Sequence, residues 1–432
     1  MVTLMKPKCY IHIGMHKTGS TSIQETFDKL KMPDIDYLRI DPFTSNQSRA
    51  LATMLWESPE TYHAHIKSGL SIQEVVQARN NYEASFHAVL SSSHAGAILL
   101  SAEDLSHRDF SLQSIAKLKS MLDPYVSGYE IICYIRPPVS FMQSAYQQVI
   151  KDGADWFSID KLFPRYKEGL EKFELIFGRA SLNFRVFSLK SFPQSNVVMD
   201  FAEIMGAKIG LNDTLRENDS VSLEAMSLLY IQRKFGRGYG SYKGSHSDNQ
   251  RMITALQEIG QGKLVFCREL VEPIINENME ELEWIEGVLG QRIIDLPEVG
   301  TEGCIKDEDD FISMGMAVSS KLVSLVFARK MDKVCSVNEV VRLVEELMFD
   351  GDAKLVPRKD IIDDSLALEK VLDFKLRNIN TEAPDVLREL AVFFEKKGDS
   401  EAAKKLISMA YGLRPGPVIS SCYNRIFKLN DF

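Results

Sequence analysis

Cys9-Tyr-Ile-His-Ile-Gly14-Met-His-Lys17-Thr-Gly19-Ser-Thr-Ser22 is the stretch that decides the fold. Residues 9–14 are short, apolar and β-rich, whereas residues 20–30 place Ile23, Phe27 and Leu30 on one face of a helix. The order is therefore strand, glycine-bearing loop, helix. Backbone N–H groups in such a loop, with the positive end of a helix behind them, form a ready anion site. Lys17 adds a point charge, and Thr18, Ser20, Thr21 and Ser22 add hydroxyl donors around Gly19. A Walker nucleotide loop requires its lysine directly after the second glycine. Here Lys17 precedes Gly19 and Ser20 follows it, so the Walker pattern fails on order.

Working outward, residues 97–100 and 131–135 are apolar runs with the length of strands buried on both faces, and residues 183–188 supply a fourth strand. Each is followed by polar residues and a helical pattern; residues 196–205 read as a helix stopped by Gly206. The expected fold class is α/β, a three-layer P-loop-like domain around a central parallel sheet. From residue 222 the pattern is mostly helical, interrupted at 236–247 by a glycine-rich basic loop holding Arg237, Lys243 and His246. The acidic stretch 302–310 places a boundary, giving an α/β domain over 1–300 and a helical region over 301–432. Within the latter, Leu387, Leu390, Ala391, Phe394, Gly398, Ala403, Ala410 and Pro415 occupy the small and apolar positions of a helix pair at 384–417 that resembles one tetratricopeptide unit. A lone repeat cannot bury its own face, so it is expected to pack on neighbouring helices, with a protein contact as its other use.

A second cationic cluster follows the run 131–135: Arg136-Pro-Pro-Val-Ser-Phe-Met-Gln-Ser144. An arginine ending a strand and a serine two turns into the next helix can face one phosphate, and the planar guanidinium suits that task. The two clusters together resemble the sulfotransferase superfamily, whose 5′-phosphosulfate loop reads K-[ST]-G-[ST]-[ST] and whose 3′-phosphate element is a strand-end arginine with a serine eight residues on. Lys17-Thr-Gly-Ser-Thr21 and the pair Arg136 and Ser144 match both. Leu215-Arg-Glu-Asn-Asp-Ser-Val-Ser-Leu-Glu224 resembles a downstream element of bacterial glycan sulfotransferases, although it also fits an ordinary helix cap. The resemblance covers residues 8–295.

This resemblance implies 3′-phosphoadenylyl sulfate (PAPS) as donor, held by His16, Lys17, Thr18, Gly19, Ser20, Thr21, Ser22, Arg136 and Ser144, with no metal required. Lys17 is expected to neutralise charge on the leaving oxygen, and a general base to take the acceptor proton. Glu103, just beyond the strand at 97–100, is the first choice of base; His16 is the second, with His107, Asp104 and Glu25 behind them. Trp56 and Trp156 are packing residues that could also stack on a sugar. The acceptor is expected to be a saccharide or glycolipid hydroxyl, or an amine. Two rivals remain: a P-loop kinase or nucleotide hydrolase, and a non-catalytic scaffold using its helical tail.

Composition limits the classes further. The 432 residues carry a net charge of −9, against a surface that grips nucleic acid or anionic membrane as a whole. The six cysteines are widely spaced and are expected to be free thiols of a reduced, cytoplasmic protein. The N-terminus lacks the zones of a signal peptide. The apolar stretch 314–328 is interrupted by Ser319, Ser320 and Lys321, so it cannot span a bilayer.

Overall fold

Parallel strands β1 (Lys8–His12), β2 (Ile35–Tyr37), β3 (Ala97–Ser101), β4 (Gly128–Ile135) and β5 (Leu182–Val186) form one sheet in the order β2-β3-β1-β4-β5. The computed structural model describes residues 6–215, 221–236, 238–239, 245–327, 336–347, 383–396, 400–413, 415 and 417–427. Between strands run α1 (Ser20–Lys29), α2 (Ser48–Leu55), α3 (His63–Ser68), α4 (Ile72–Ser92), α5 (Leu112–Leu122), α6 (Pro138–Lys151) and α7 (Tyr166–Phe177). After β5 come α8 (Val197–Met205), α9 (Leu223–Phe235), α10 (Ser245–Leu256), α11 (Arg268–Glu277) and α12 (Met279–Leu289), then α13 (Glu308–Ala317), α14 (Ser319–Phe327) and α15 (Val337–Glu346). The α/β class read from the sequence is therefore the observed one.

Alternation along the strands divides the apolar residues between two layers. Cys9, Ile11, Ile98, Leu100, Ile131 and Cys133 enter the larger core, while Leu99, Ile132 and Tyr134 face Ile23 and Phe27 of α1 and Val198 and Phe201 of α8. Asn196 caps α8 by accepting the N–H of Val198 at 2.9 Å, and Gly206 ends it at φ 64°, as its sequence anticipates. Strand β2 is absent from the sequence reading. It is three residues at the sheet edge, too short for its alternation to register.

Strand β1 pairs with β3 on one side and β4 on the other, from Lys8↔Ala97 to His12↔Ser101 and from Lys8↔Gly128 to His12↔Ile132. The chain runs from β1 to β2 and β3, then crosses to β4 beyond β1. A crevice opens at the carboxyl ends of strands where the order reverses in this way. The Lys17 loop leaves β1 there, and Arg136 follows β4 on the adjacent strand.

Residue 300, where the sequence places a boundary, is not a break in the core. Phe311, Leu322, Val340 and Leu343 belong to the cluster that contains Ile131 and Tyr146, and the Phe311 and Tyr146 rings lie 5.6 Å apart. The helices Ala383–Lys396, Ser400–Leu413 and Pro417–Phe427 bury a cluster of their own around Ala391, Ala403, Ile407, Ala410 and Ile419. Gly398 of the expected repeat lies outside the described residues.

One expectation is overturned. Cys267 and Cys304 form a disulfide, with Cα atoms 5.0 Å apart, within the span such bonds require. Backbone pairing brings them together: Cys267 N–H donates to Ile305 O at 2.9 Å, and Ile305 N–H to Val265 O at 2.8 Å. Cys9 and Cys133 are buried free thiols, Cys422 is buried beside Arg425, and Cys335 lies outside the described residues. Among the described residues no helix is long and apolar enough to cross a membrane.

Candidate functional site

The loop between β1 and α1 turns through three residues of positive φ: Gly14 at 98°, Lys17 at 64° and Gly19 at 80°. Two of these positions require glycine for space as well. A Cβ on Gly14 would come 3.0 Å from Glu103 O, and one on Gly19 would meet Val197 Cγ1 at 2.8 Å. Among the described residues, no protein acceptor takes the backbone N–H of Lys17, Thr18, Gly19, Ser20, Thr21 or Ser22. Six such donors before and at the start of a helix are available to an anion.

The loop hydroxyls divide into two groups. Thr18 Oγ1 and Ser20 Oγ are buried and donate to Met15 O at 2.5 and 3.2 Å, so they brace the loop instead of pointing protons outward as expected. Thr21 and Ser22 are half-buried and make no side-chain hydrogen bond within the described residues.

The second cluster meets the first. Arg136 Nη1 donates to the carbonyl of Lys17 at 2.6 Å, and the guanidinium lies 5.7 Å from the Phe187 ring centre. Burial pulls the Arg136 pKa down from its ordinary value, while Asp295 pulls the other way. Helix α6 starts at Pro138, where a missing N–H costs nothing. Asp295 takes the next two donors, Val139 N–H at 2.8 Å and Ser140 N–H at 2.9 Å. The helix buries Val139, Met142, Tyr146 and Ile150, leaving Ser140, Ser144 and Gln148 half-buried at fourfold spacing on another face. Gln148 Oε1 accepts from Lys17 Nζ at 3.0 Å. Arg136 and Gln148 thus both reach Lys17, and Ser144 lies one helical turn before Gln148. Sequence reasoning missed Gln148, although its place one turn beyond Ser144 is a signal that helical spacing provides. It also missed Asp295, for which no local signal exists.

Beside the loop lies a cavity of about 500 Å³ whose wall includes His16, Asn46, Trp56, Tyr62, Glu103 and Asp104. His16 bridges two carboxylates, with Nδ1 at 3.4 Å from Glu103 Oε2 and Nε2 at 3.1 Å from Asp104 Oδ1. Burial alone would lower its pKa; the bonds to Asp104 and Glu103 outweigh that and raise it to about 10. A ring so held is cationic near neutral pH and lacks the lone pair that a base needs. Burial raises Asp104, but hydrogen bonds from His16 and Tyr62, the latter at 2.6 Å, leave it below the usual carboxylate range. Glu103 also accepts from Asn46 Nδ2 at 3.0 Å.

The remaining candidates scatter. His107 lines the same cavity with its pKa lowered by burial. Trp56 is buried in its wall, against Tyr62 and Phe110. Glu25 instead pairs with Lys29 on the surface of α1 at 3.1 Å. Trp156 lies outside the cavity, beneath Lys161 Nζ at 5.7 Å. Arg237, Lys243 and residues 216–220 are outside the described residues, whereas His246 is in α10 beside Tyr239. Ser222 caps α9 by accepting Ala225 N–H at 3.1 Å. Among the described residues, no group of three or more His, Cys, Asp or Glu side chains is arranged to hold a metal ion.

No protein-family model matches the chain. A segment of 129 residues, 29% of this chain, is 27% identical to an uncharacterized protein of Archaeoglobus fulgidus; the match spans 35% of that relative, about a third of its length. The chain is also similar to the crystal structure of a sulfotransferase from Alicyclobacillus acidocaldarius, at a TM-score of 0.31 and 13% identity, over 53% of this chain and 94% of that one.

Proposed function

We propose that the protein is a sulfotransferase that moves a sulfuryl group from 3′-phosphoadenylyl sulfate to a hydroxyl or amine of an acceptor, a saccharide or glycolipid. The observation that carries this reading is the 2.6 Å bond from Arg136 to the carbonyl of Lys17, which joins a residue of one cationic cluster to a residue of the other. A nucleotide phosphorylated at both ends needs two such clusters in reach of each other.

The residues fit such a group. Six unpaired loop N–H groups and the Lys17 ammonium suit the 5′ end, while the unspent N–H groups of Arg136 and the Ser144 hydroxyl suit the 3′-phosphate. When bound, the donor supplies the sulfuryl group and adenosine 3′,5′-bisphosphate as the leaving group. Lys17 and the loop amides then neutralise the charge that gathers on the leaving oxygen. The cavity beside the loop receives the acceptor. Glu103, which lines that wall and accepts from His16 and Asn46, takes the acceptor proton. His16, being protonated, orients Glu103 and Asp104 and leaves the proton transfer to the carboxylate.

Labelled PAPS with a panel of saccharide and glycolipid acceptors tests this directly. Label should move to at least one acceptor, Lys17→Ala should slow transfer by roughly two to three decades, and Glu103→Gln should slow it while leaving donor binding intact. Release of phosphate from ATP with magnesium, without sulfuryl transfer to any acceptor, would place the protein among nucleotide hydrolases instead.

A further inference from the structure

We infer that Gln148 is a positioning residue for the donor: it fixes the Lys17 ammonium and couples the loop to the helix that carries Ser144. This rests on the proposal that Lys17 meets the donor's 5′ end. Lys17 has a flexible four-carbon stem, so an ammonium at its end samples many positions unless something holds it. Gln148 Oε1 holds it at 3.0 Å. The amide is itself oriented, because its Nε2 donates to Asp152 Oδ2 at 3.0 Å, which turns the carbonyl oxygen toward Lys17. An ammonium has three donors. One is taken by Gln148, leaving two for an anion.

The choice of a neutral amide matters. A carboxylate at 148 would pair with Lys17 and compete with the incoming anion, whereas an apolar residue would leave the ammonium unguided. The backbone is fixed from the other side: Lys17 has a left-handed φ of 64°, and its carbonyl accepts from Arg136 at 2.6 Å. Lys17 is therefore held at its carbonyl by the arginine that follows β4 and at its ammonium by the helix that starts two residues later. Contacts at the two ends of a bisphosphate nucleotide should then depend on each other through Gln148.

The test is calorimetric titration of adenosine 3′,5′-bisphosphate into the full-length protein, comparing wild type, Gln148→Leu, Lys17→Met and the double variant. Gln148→Leu should weaken binding by about tenfold in the wild-type background, the order expected of a charge-assisted bond, and by less than about twofold when Lys17 is already Met. A purely structural role for Gln148 would persist in the Lys17→Met background. Gln148→Glu, nearly the same shape, serves if the leucine variant does not fold; it should weaken binding by more than tenfold through charge competition alone. Wild-type binding together with unchanged binding in the Gln148 variants, or equal losses in both backgrounds, overturns the role of Gln148 and leaves the donor assignment standing. A wild-type protein that does not bind the nucleotide overturns both.

Discussion

At the scale of the residue, His16 gives the sharpest pH signature. Its folded pKa of about 10 exceeds the ~6.5 of an unfolded histidine, so its bonds contribute fully below pH ~6.5 and are lost as the pH rises through about 10. Asp104 runs the other way: held below the ordinary value, it contributes above pH ~4 and is lost as the pH falls through its lower folded pKa. NMR titration should find His16 still protonated at pH 8, and His16→Gln should flatten the alkaline decline in stability. A ring that titrates near 6.5 would remove the bridge. Arg136→Lys should weaken adenosine 3′,5′-bisphosphate binding by about tenfold in a calorimetric titration, because an ammonium cannot present the arginine's fork to both the Lys17 carbonyl and a phosphate. The residues proposed to meet phosphate are legible in sequence because a loop motif and a helix offset are local patterns. Thr18 and Ser20 belong to the same motif, yet their hydroxyls turn inward, since a loop carbonyl left in the interior must find a donor.

At the scale of the element, α6 decides whether the second cluster faces the first. Its N-terminal donors are satisfied by Asp295, a carboxylate that arrives 156 residues later in the chain. Asp295→Ala should lower stability by about 1–2 kcal/mol in urea unfolding and weaken nucleotide binding as Arg136 loses its anchored helix. An unchanged urea midpoint would show that water replaces the carboxylate. The loop before α1 depends on Gly19: Gly19→Ala combines an unfavourable φ of 80° with a contact at 2.8 Å to Val197, and should lower the melting temperature measurably. The strands β1, β3 and β4 are legible because their apolar runs are largely buried on both faces, and β5, a half-buried edge strand, because Leu182, Phe184 and Val186 alternate with Asn183 and Arg185. Edge strand β2 and the Asp295 cap are not, because each exists only once distant chain has been brought alongside.

At the scale of the whole molecule, the core runs unbroken past residue 300 into α13 and α15, and the Cys267–Cys304 bond secures the approach to it. With its ends 37 positions apart in the chain, the bond should contribute about 2–4 kcal/mol. Cys304→Ser should shift the urea midpoint accordingly, and thiol labelling of the unfolded, unreduced chain should leave Cys267 and Cys304 unlabelled. Spacing along the sequence carried no hint of this pair; the register between Phe266 and Ile305 creates it. What the fold accomplishes is to set two adjacent strand ends side by side at the reversal of strand order, each with its own cation. Calorimetric titration of adenosine 3′,5′-bisphosphate against wild type, Lys17→Ala and Arg136→Ala tests that arrangement most directly. The nucleotide should bind wild type more tightly than ATP with magnesium does, and each variant should lose at least about tenfold in affinity. Preference for ATP with magnesium, or a loss confined to one of the two variants, would contradict a single nucleotide held at both ends.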